Sequence, residues 1–285
     1  MNQALSLNSR PITRNKLPKV KLRDFDGWYA ADLGVTTVSS VVSTWASQVP
    51  GGPNLTQSVA NKRPALTTIN NITALDFDGD TGSKGQNSDR MIDGGELMDG
   101  IGTGDFYIAF VLAIDPGSGG GQQTLFYKSE SGGLSGFDFR YIRSSGRLRI
   151  ARTVGLGTTT VIQTADDMLV NNQTTFVEVH RLNGTLQIFK NGTSVASESD
   201  STDFTEAGTV TIGNHGVNSF GFSGAIGEFI CKAGTVPVRT RQVIEALMAT
   251  KWNIGAAKTA KARGRAAGFG SLPATNRFRN RPPRF

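Results

Sequence analysis

The chain has 285 residues, enough for one large domain or two small ones with a core that needs no covalent staples. Its single cysteine, Cys231, excludes an intrachain disulfide framework, and its longest apolar run, Phe106 to Ile114, is about half of a membrane-spanning helix. The net charge of +7 divides unevenly. Residues 1–23 hold six basic side chains and no acid, and residues 255–285 hold eight and no acid. That leaves 16 basic against all 23 acidic residues in 24–254, so the middle of the chain is −7.

Three zones follow: a basic N-terminal arm 1–23, a body 24–254 and a basic extended C-terminal tail 255–285. The first 20 residues carry charge without an apolar stretch, which predicts no secretory signal peptide. Thirty-five glycines with only 19% charged residues predict tight turns and strands rather than a helical bundle. Phe106–Ile114 is near-continuously apolar, flanked by Gly104–Asp105 and Pro116–Gly117, and predicts a buried central strand. The Gly-rich 117–121 that follows lacks the Lys–Ser/Thr of a phosphate loop and reads as a strand connection.

Further strands are predicted at intervals of roughly ten residues, over 124–128, 137–142, 148–154, 159–164, 176–182, 185–190, 210–212 and 222–231. Phe137, Phe139 and Tyr141 alternate with Asp138 and Arg140. In the next alternating strand Glu178 and His180 are assigned to the polar side. Asn183–Gly184 and Asn191–Gly192 are the dipeptides that supply positive φ in hairpin turns. One helix is predicted over 240–252, after Pro237, with Val243 and Leu247, joined by Ile244 and Met248, on its apolar face; Gly255 stops it. The tail has too few large apolar side chains to fold alone and reads as disordered or laid along a partner.

Several segments, taken in order, resemble the concanavalin A-like or laminin-G-like jelly roll. They are Phe25–Asp26–Gly27–Trp28–Tyr29–Ala30–Ala31–Asp32, then Val41, Val42 and Trp45 with Ala46, Lys62–Arg63–Pro64–Ala65–Leu66, and Ala74–Leu75–Asp76–Phe77–Asp78–Gly79. The strand 106–114, Gly224–Ala225–Ile226–Gly227–Glu228–Phe229–Ile230 and the closing Lys251–Trp252–Asn253–Ile254 complete the set. The resemblance spans about residues 25–254 and implies an all-β jelly-roll sandwich with one short C-terminal helix between extended arms. In the version found in bacterial surface and phage structural proteins, it also implies a lectin-like or purely structural module.

The residues offer little catalytic chemistry. Glycosidases on this fold need paired carboxylates, and the expected strand carries Glu228 alone. The two histidines, His180 and His215, have no nucleophile in sequence reach, and Cys231 reads as a core residue. Asp76, Asp78 and Asp80 alternate, with Asp89, Asp93 and Glu96 soon after. Oxygen ligands of this kind hold Ca²⁺, although Thr81 and Asn87 break the calcium-loop pattern. Asp76, Asp78, Asp80 and Asp89 therefore stand as the calcium candidates, with Asp76 and Asp78 read otherwise as the polar face of an edge strand; no other cofactor is predicted.

The arms are the most unusual feature. Arg277, Phe278, Arg279, Arg281, Arg284 and Phe285, with Arg10, Arg14, Lys16 and Lys19, combine guanidinium groups with aromatic anchors suited to an acidic protein surface. Nucleic acid fits poorly, because the body is −7 and carries no reading motif. The sequence-level expectation is thus a non-enzymatic virion protein, a phage capsid decoration or a tail or fibre component. It would be homo-oligomeric and anchored to other virion subunits by its arms. The alternative is a carbohydrate-binding adhesin for host cell-surface glycans.

Overall fold

The computed structural model describes residues 20–79, 88–116, 121–129, 136–154, 157–204, 208–215 and 220–255. Both arms' predicted contact residues (Arg10, Arg14, Lys16, Lys19, Arg277, Phe278, Arg279, Arg281, Arg284 and Phe285), together with Asp80, lie outside them. The strands are β1 (Gly27–Ala30), β2 (Val35–Val38), β3 (Val41–Trp45), β4 (Leu55–Thr56), β5 (Ala65–Ile69), β6 (Ile72–Asp78), β7 (Met91–Ile92), β8 (Phe106–Ile114) and β9 (Gln122–Ser129). They continue with β10 (Gly136–Ile142), β11 (Arg147–Val154), β12 (Gly157–Gln163), β13 (Thr175–Leu182), β14 (Thr185–Lys190), β15 (Thr193–Ser199), β16 (Val210–Ile212) and β17 (Ser223–Ala233). A helix, α1 (Val238–Lys251), closes the order.

Antiparallel pairings arrange these strands into two layers. Sheet I runs β15–β14–β13–β8–β17, and the far edge of β17 pairs first with β6 and then with β1. β5 lies beyond β6. Sheet II runs β2–β3–β4–β7–β16–β9–β10–β11–β12. Their inner faces share one apolar core, to which sheet I gives Phe77, Phe106, Phe110 and Phe229 and sheet II gives Trp45, Phe126, Phe137 and Phe139. The fold is a jelly-roll sandwich, as the resemblance implies.

β8 is apolar on both faces because both are covered. Phe106, Ile108, Phe110, Leu112 and Ile114 enter the inter-sheet core, whereas Tyr107, Ala109 and Val111 join a second cluster with Ile244, Met248 and Trp252 of the C-terminal helical segment. Burying side chains of this size is worth about 1.5–3 kcal/mol each, so α1 is held mainly by this seam. The two predicted hairpin turns form as expected: Leu182 pairs with Thr185 and Lys190 with Thr193. Asn183–Gly184 and Asn191–Gly192 each take two positive φ values, 51° and 72°, then 48° and 76°, the signature of a two-residue turn matched to strand twist.

Three sequence expectations are corrected. The buried stripe of α1 is Arg241, Ile244 and Met248, while Leu247 is 47% exposed and Val243 half-buried; an arginine occupies a core position because a carboxylate waits beneath it. Glu178 and His180 do not face solvent: α1 and its lead-in cover them, and a His180 ring nitrogen lies 2.9 Å from the Val236 carbonyl oxygen. Finally, β6 is no edge strand, since β17 and β5 flank it.

Candidate functional site

With α1 seated on sheet I, the outer face of sheet II is the one that no helix covers among the described residues. Strand register sets a transverse row across it. Thr44 pairs with Thr56, Thr56 with Ile92, Ile92 with Thr211, Thr211 with Tyr127, Tyr127 with Asp138 and Asp138 with Ala151. Trp45, Leu55, Met91, Phe126, Phe139 and Ile150, each next to one of these along its strand, belong to the core, so the period of two sets the row on the other face.

The middle of this face is occupied by the chain itself. His215 stacks on Tyr127 with ring centroids 3.9 Å apart, and Phe220 meets His215 edge-on at 5.7 Å and lies under the Arg140 guanidinium at 4.7 Å. Arg140 donates to Asp138 Oδ2 at 2.5 Å. Burial pushes the Asp138 carboxyl up to about 6 against the pull of Arg140, and burial with Arg140 pushes His215 down to about 3. His215 is therefore neutral, and its 4.0 Å approach to Asp138 is no ion pair. Arg140 and Arg149 face each other in register, and the Gln122 side-chain oxygen accepts from both at 2.8 Å. The alternation of Asp138 and Arg140 was legible in sequence; their burial beside His215 and Phe220 was not.

Towards β3, β4 and β7 the face opens into a pocket of about 380 Å³, within the range of small-molecule sites. Ser43, Thr56, Gln57, Ser58, Arg63, Ile92 and Asp93 line it. Arg63 is held in place by carbonyl groups: Nε donates to Gln57 O at 2.7 Å and Nη2 to Ser58 O at 2.8 Å. Gln57 is fixed in turn, its amide donating to Arg90 O and accepting from Val59 N–H. Asp93 accepts from Val210 N–H at 2.6 Å, Leu97 N–H at 2.8 Å and Glu96 N–H at 3.1 Å, so its oxygens serve the backbone. Of these residues Arg63 figures in the sequence reading in a fold motif and Asp93 beside the calcium candidates. The pocket exists because Thr56 pairs with Ile92, 36 positions away, which no local pattern encodes.

The calcium candidates are partly brought together. Asp76 and Asp78 share the outer face of β6, and Asp89 accepts the Asp78 backbone N–H at 3.2 Å. Burial, and then Asp115, raises the Asp76 carboxyl. Among the described residues no group of three or more His, Cys, Asp or Glu side chains is arranged to hold a metal ion. Glu228 is buried, bonded to Trp28 Nε1 at 3.2 Å and Lys251 Nζ at 2.6 Å, and burial outweighs these partners in raising its carboxyl. Cys231 is in the core as expected.

Residues 101–230 match the laminin G-type family model described as the concanavalin A-like lectin/glucanases superfamily. The fold is concanavalin A-like. Among solved structures, the botulinum neurotoxin type G receptor binding domain superposes with a TM-score of 0.56 at 10% identity, over 79% of this chain and 51% of that one. The receptor binding domain of botulinum neurotoxin D gives 0.55 at 12% identity, over 80% and 53%. The serotype D ligand binding domain in complex with N-acetylneuraminic acid gives 0.54 at 12% identity, over 79% and 51%. The chain thus spans about half the length of these structures, and at such identity they speak for the lectin-like jelly roll alone. No curated protein matches the sequence.

Proposed function

We propose that the sandwich is a non-catalytic saccharide-binding module whose ligand site is the pocket on the outer face of sheet II. The observation that carries this reading is the composition of the pocket. Three hydroxyls (Ser43, Thr56, Ser58), a guanidinium and the apolar Ile92 surround a volume suited to a sugar ring. Pre-set hydrogen-bonding groups beside an apolar contact are what a polyhydroxylated ring requires. A structural relative crystallised with N-acetylneuraminic acid supports the same reading. So does the engagement of Asp93 and Glu228, whose carboxylates are tied to backbone amides, Trp28 and Lys251. The test is a glycan array with the full chain, repeated with Thr56→Trp. Thr56 is exposed, so the indole fills the pocket without disturbing the core. Hits that the variant loses are expected; a blank array, or hits the variant retains, refutes the reading.

A second reading, a virion structural protein held to acidic neighbouring subunits by its ends, is favoured by the segregation of charge. Fourteen of the thirty basic residues lie in two terminal segments without a single acid. Deleting 255–285 is then expected to abolish incorporation into particles while the remaining chain stays folded; normal incorporation refutes it.

A further inference from the structure

We infer that the pocket takes an acidic saccharide, with Arg63 reading a carboxylate on the sugar. The inference rests on the saccharide reading above and deepens it by naming the ligand class.

Arg63 is positioned but not neutralised. Its two bonds go to uncharged carbonyl oxygens, which set the plane of the guanidinium and leave three of its five N–H donors for a ligand. Among the described residues no carboxylate lies within ion-pair distance of it, and Asp93, the carboxylate lining the pocket, already accepts three backbone N–H groups. A second cation adjoins Arg63 along the chain. Lys62 precedes it, and the Lys62 carbonyl accepts the Arg90 backbone N–H at 3.0 Å. Partial desolvation and the Arg90 charge push the Lys62 ammonium below its ordinary pKa. A planar, oriented guanidinium beside a lysine is the donor set for a carboxylate, which accepts two parallel N–H bonds. Among the described residues the Thr56 and Ser58 hydroxyls make no hydrogen bond and remain for ring hydroxyls, and Ile92 adds an apolar side chain to the lining. A neutral sugar would use the hydroxyls and leave the guanidinium as it is. An acidic one uses both.

The experiment is an NMR titration of the full chain, following the amides of Thr56, Ser58 and Ile92, with D-glucuronate, D-glucose and acetate. The two sugars differ at C6, carboxylate against hydroxymethyl. Glucuronate is expected to bind about tenfold more tightly than glucose, the scale of one charge-assisted contact. The preference should shrink as salt rises and vanish in Arg63→Gln. Because Arg63 also braces Gln57 and Ser58, Lys62→Gln serves as the second variant; its side chain forms no ion pair among the described residues, and a smaller loss of preference is expected there. Equal affinity for the two sugars, or a preference unchanged in both variants, overturns the inference while leaving saccharide binding intact. Acetate binding as tightly as glucuronate shows a plain anion site and overturns it as well. No shift with either sugar overturns it too, and together with a blank array removes the saccharide reading itself.

Discussion

Arg241 of α1 and Glu178 of β13 form a buried ion pair, Nη1 to Oε2 3.1 Å, sealed between the helix and sheet I. Tyr107 donates to the other Glu178 oxygen at 2.8 Å, and Phe189 lies 3.9 Å under the guanidinium. Burial raises the Glu178 carboxyl to about 7 against the opposing pull of Arg241. Removing one partner strands the other in a dry site. Arg241→Ala is expected to cost about 3–5 kcal/mol of stability in urea unfolding. The double change Glu178→Gln with Arg241→Met keeps an acceptor for Tyr107 and should cost far less. Equal losses in the two proteins would show that the pair itself stabilises the helix.

Gly227 makes room for Trp252. It sits at the bulge in β17, where the strand exchanges β6 for β1 as its neighbour. A methyl group there would stand 2.6 Å from Trp252 Cζ2 and 2.7 Å from Cζ3. Glycine in a strand interior commonly marks such a close approach. Gly227→Ala is predicted to lift the indole off the sheet and cost about 1–3 kcal/mol, with a change in near-ultraviolet circular dichroism. An unchanged spectrum and midpoint would mean that the ring relaxes freely.

Arg181 ties two loops together from inside the sandwich. Fully buried, it donates to the carbonyls of Gly102, Gly104 and Thr202, each at 2.6 Å, and to Asp200 at 3.0 Å, between the rings of Phe106 and Phe204. A lysine has the charge but not the planar fork. Arg181→Lys is therefore expected to destabilise by more than about 2 kcal/mol and to accelerate amide exchange in 101–105 and 200–204. Wild-type protection in those loops would refute the role.

Stability should depend on pH through His215 with a defined sign. Its folded pKa, about 3, lies below the unfolded value of 6.5, so between these limits the unfolded chain binds more protons. The stabilisation is complete above pH 6.5 and is lost as pH falls towards 3. Glu178 acts in the opposite sense, because its folded value of about 7 exceeds 4.5: its contribution is complete below 4.5 and is lost as pH rises through 7. The difference in unfolding free energy between wild type and His215→Phe is thus predicted to rise from pH 3 to 6.5 and then level off. A flat difference would place a proton on the native imidazole.

The parts of this protein that could be read from residue order were those where local chemistry admits one solution. Asn183–Gly184 and Asn191–Gly192 demand positive φ and became hairpin turns. The run 106–114 has no polar face and became the strand between β17 and β13. Alternation in 137–142 assigned its core side correctly. Tertiary structure decided what the polar positions do. Glu178 and His180 look solvent-facing until α1 arrives with Arg241, and Asp138 and Arg140 until His215 and Phe220 pack over them. The pocket was illegible for the same reason. Its hydroxyls come from β3, β4 and the residues after β4, its apolar side chain from β7 and its guanidinium from the segment before β5, and these meet only when the strands pair. Periodicity records which side of a strand is apolar. Whether the other side meets water, a helix or a ligand depends on long-range register, which is set by the sum of the packing and not by any one segment.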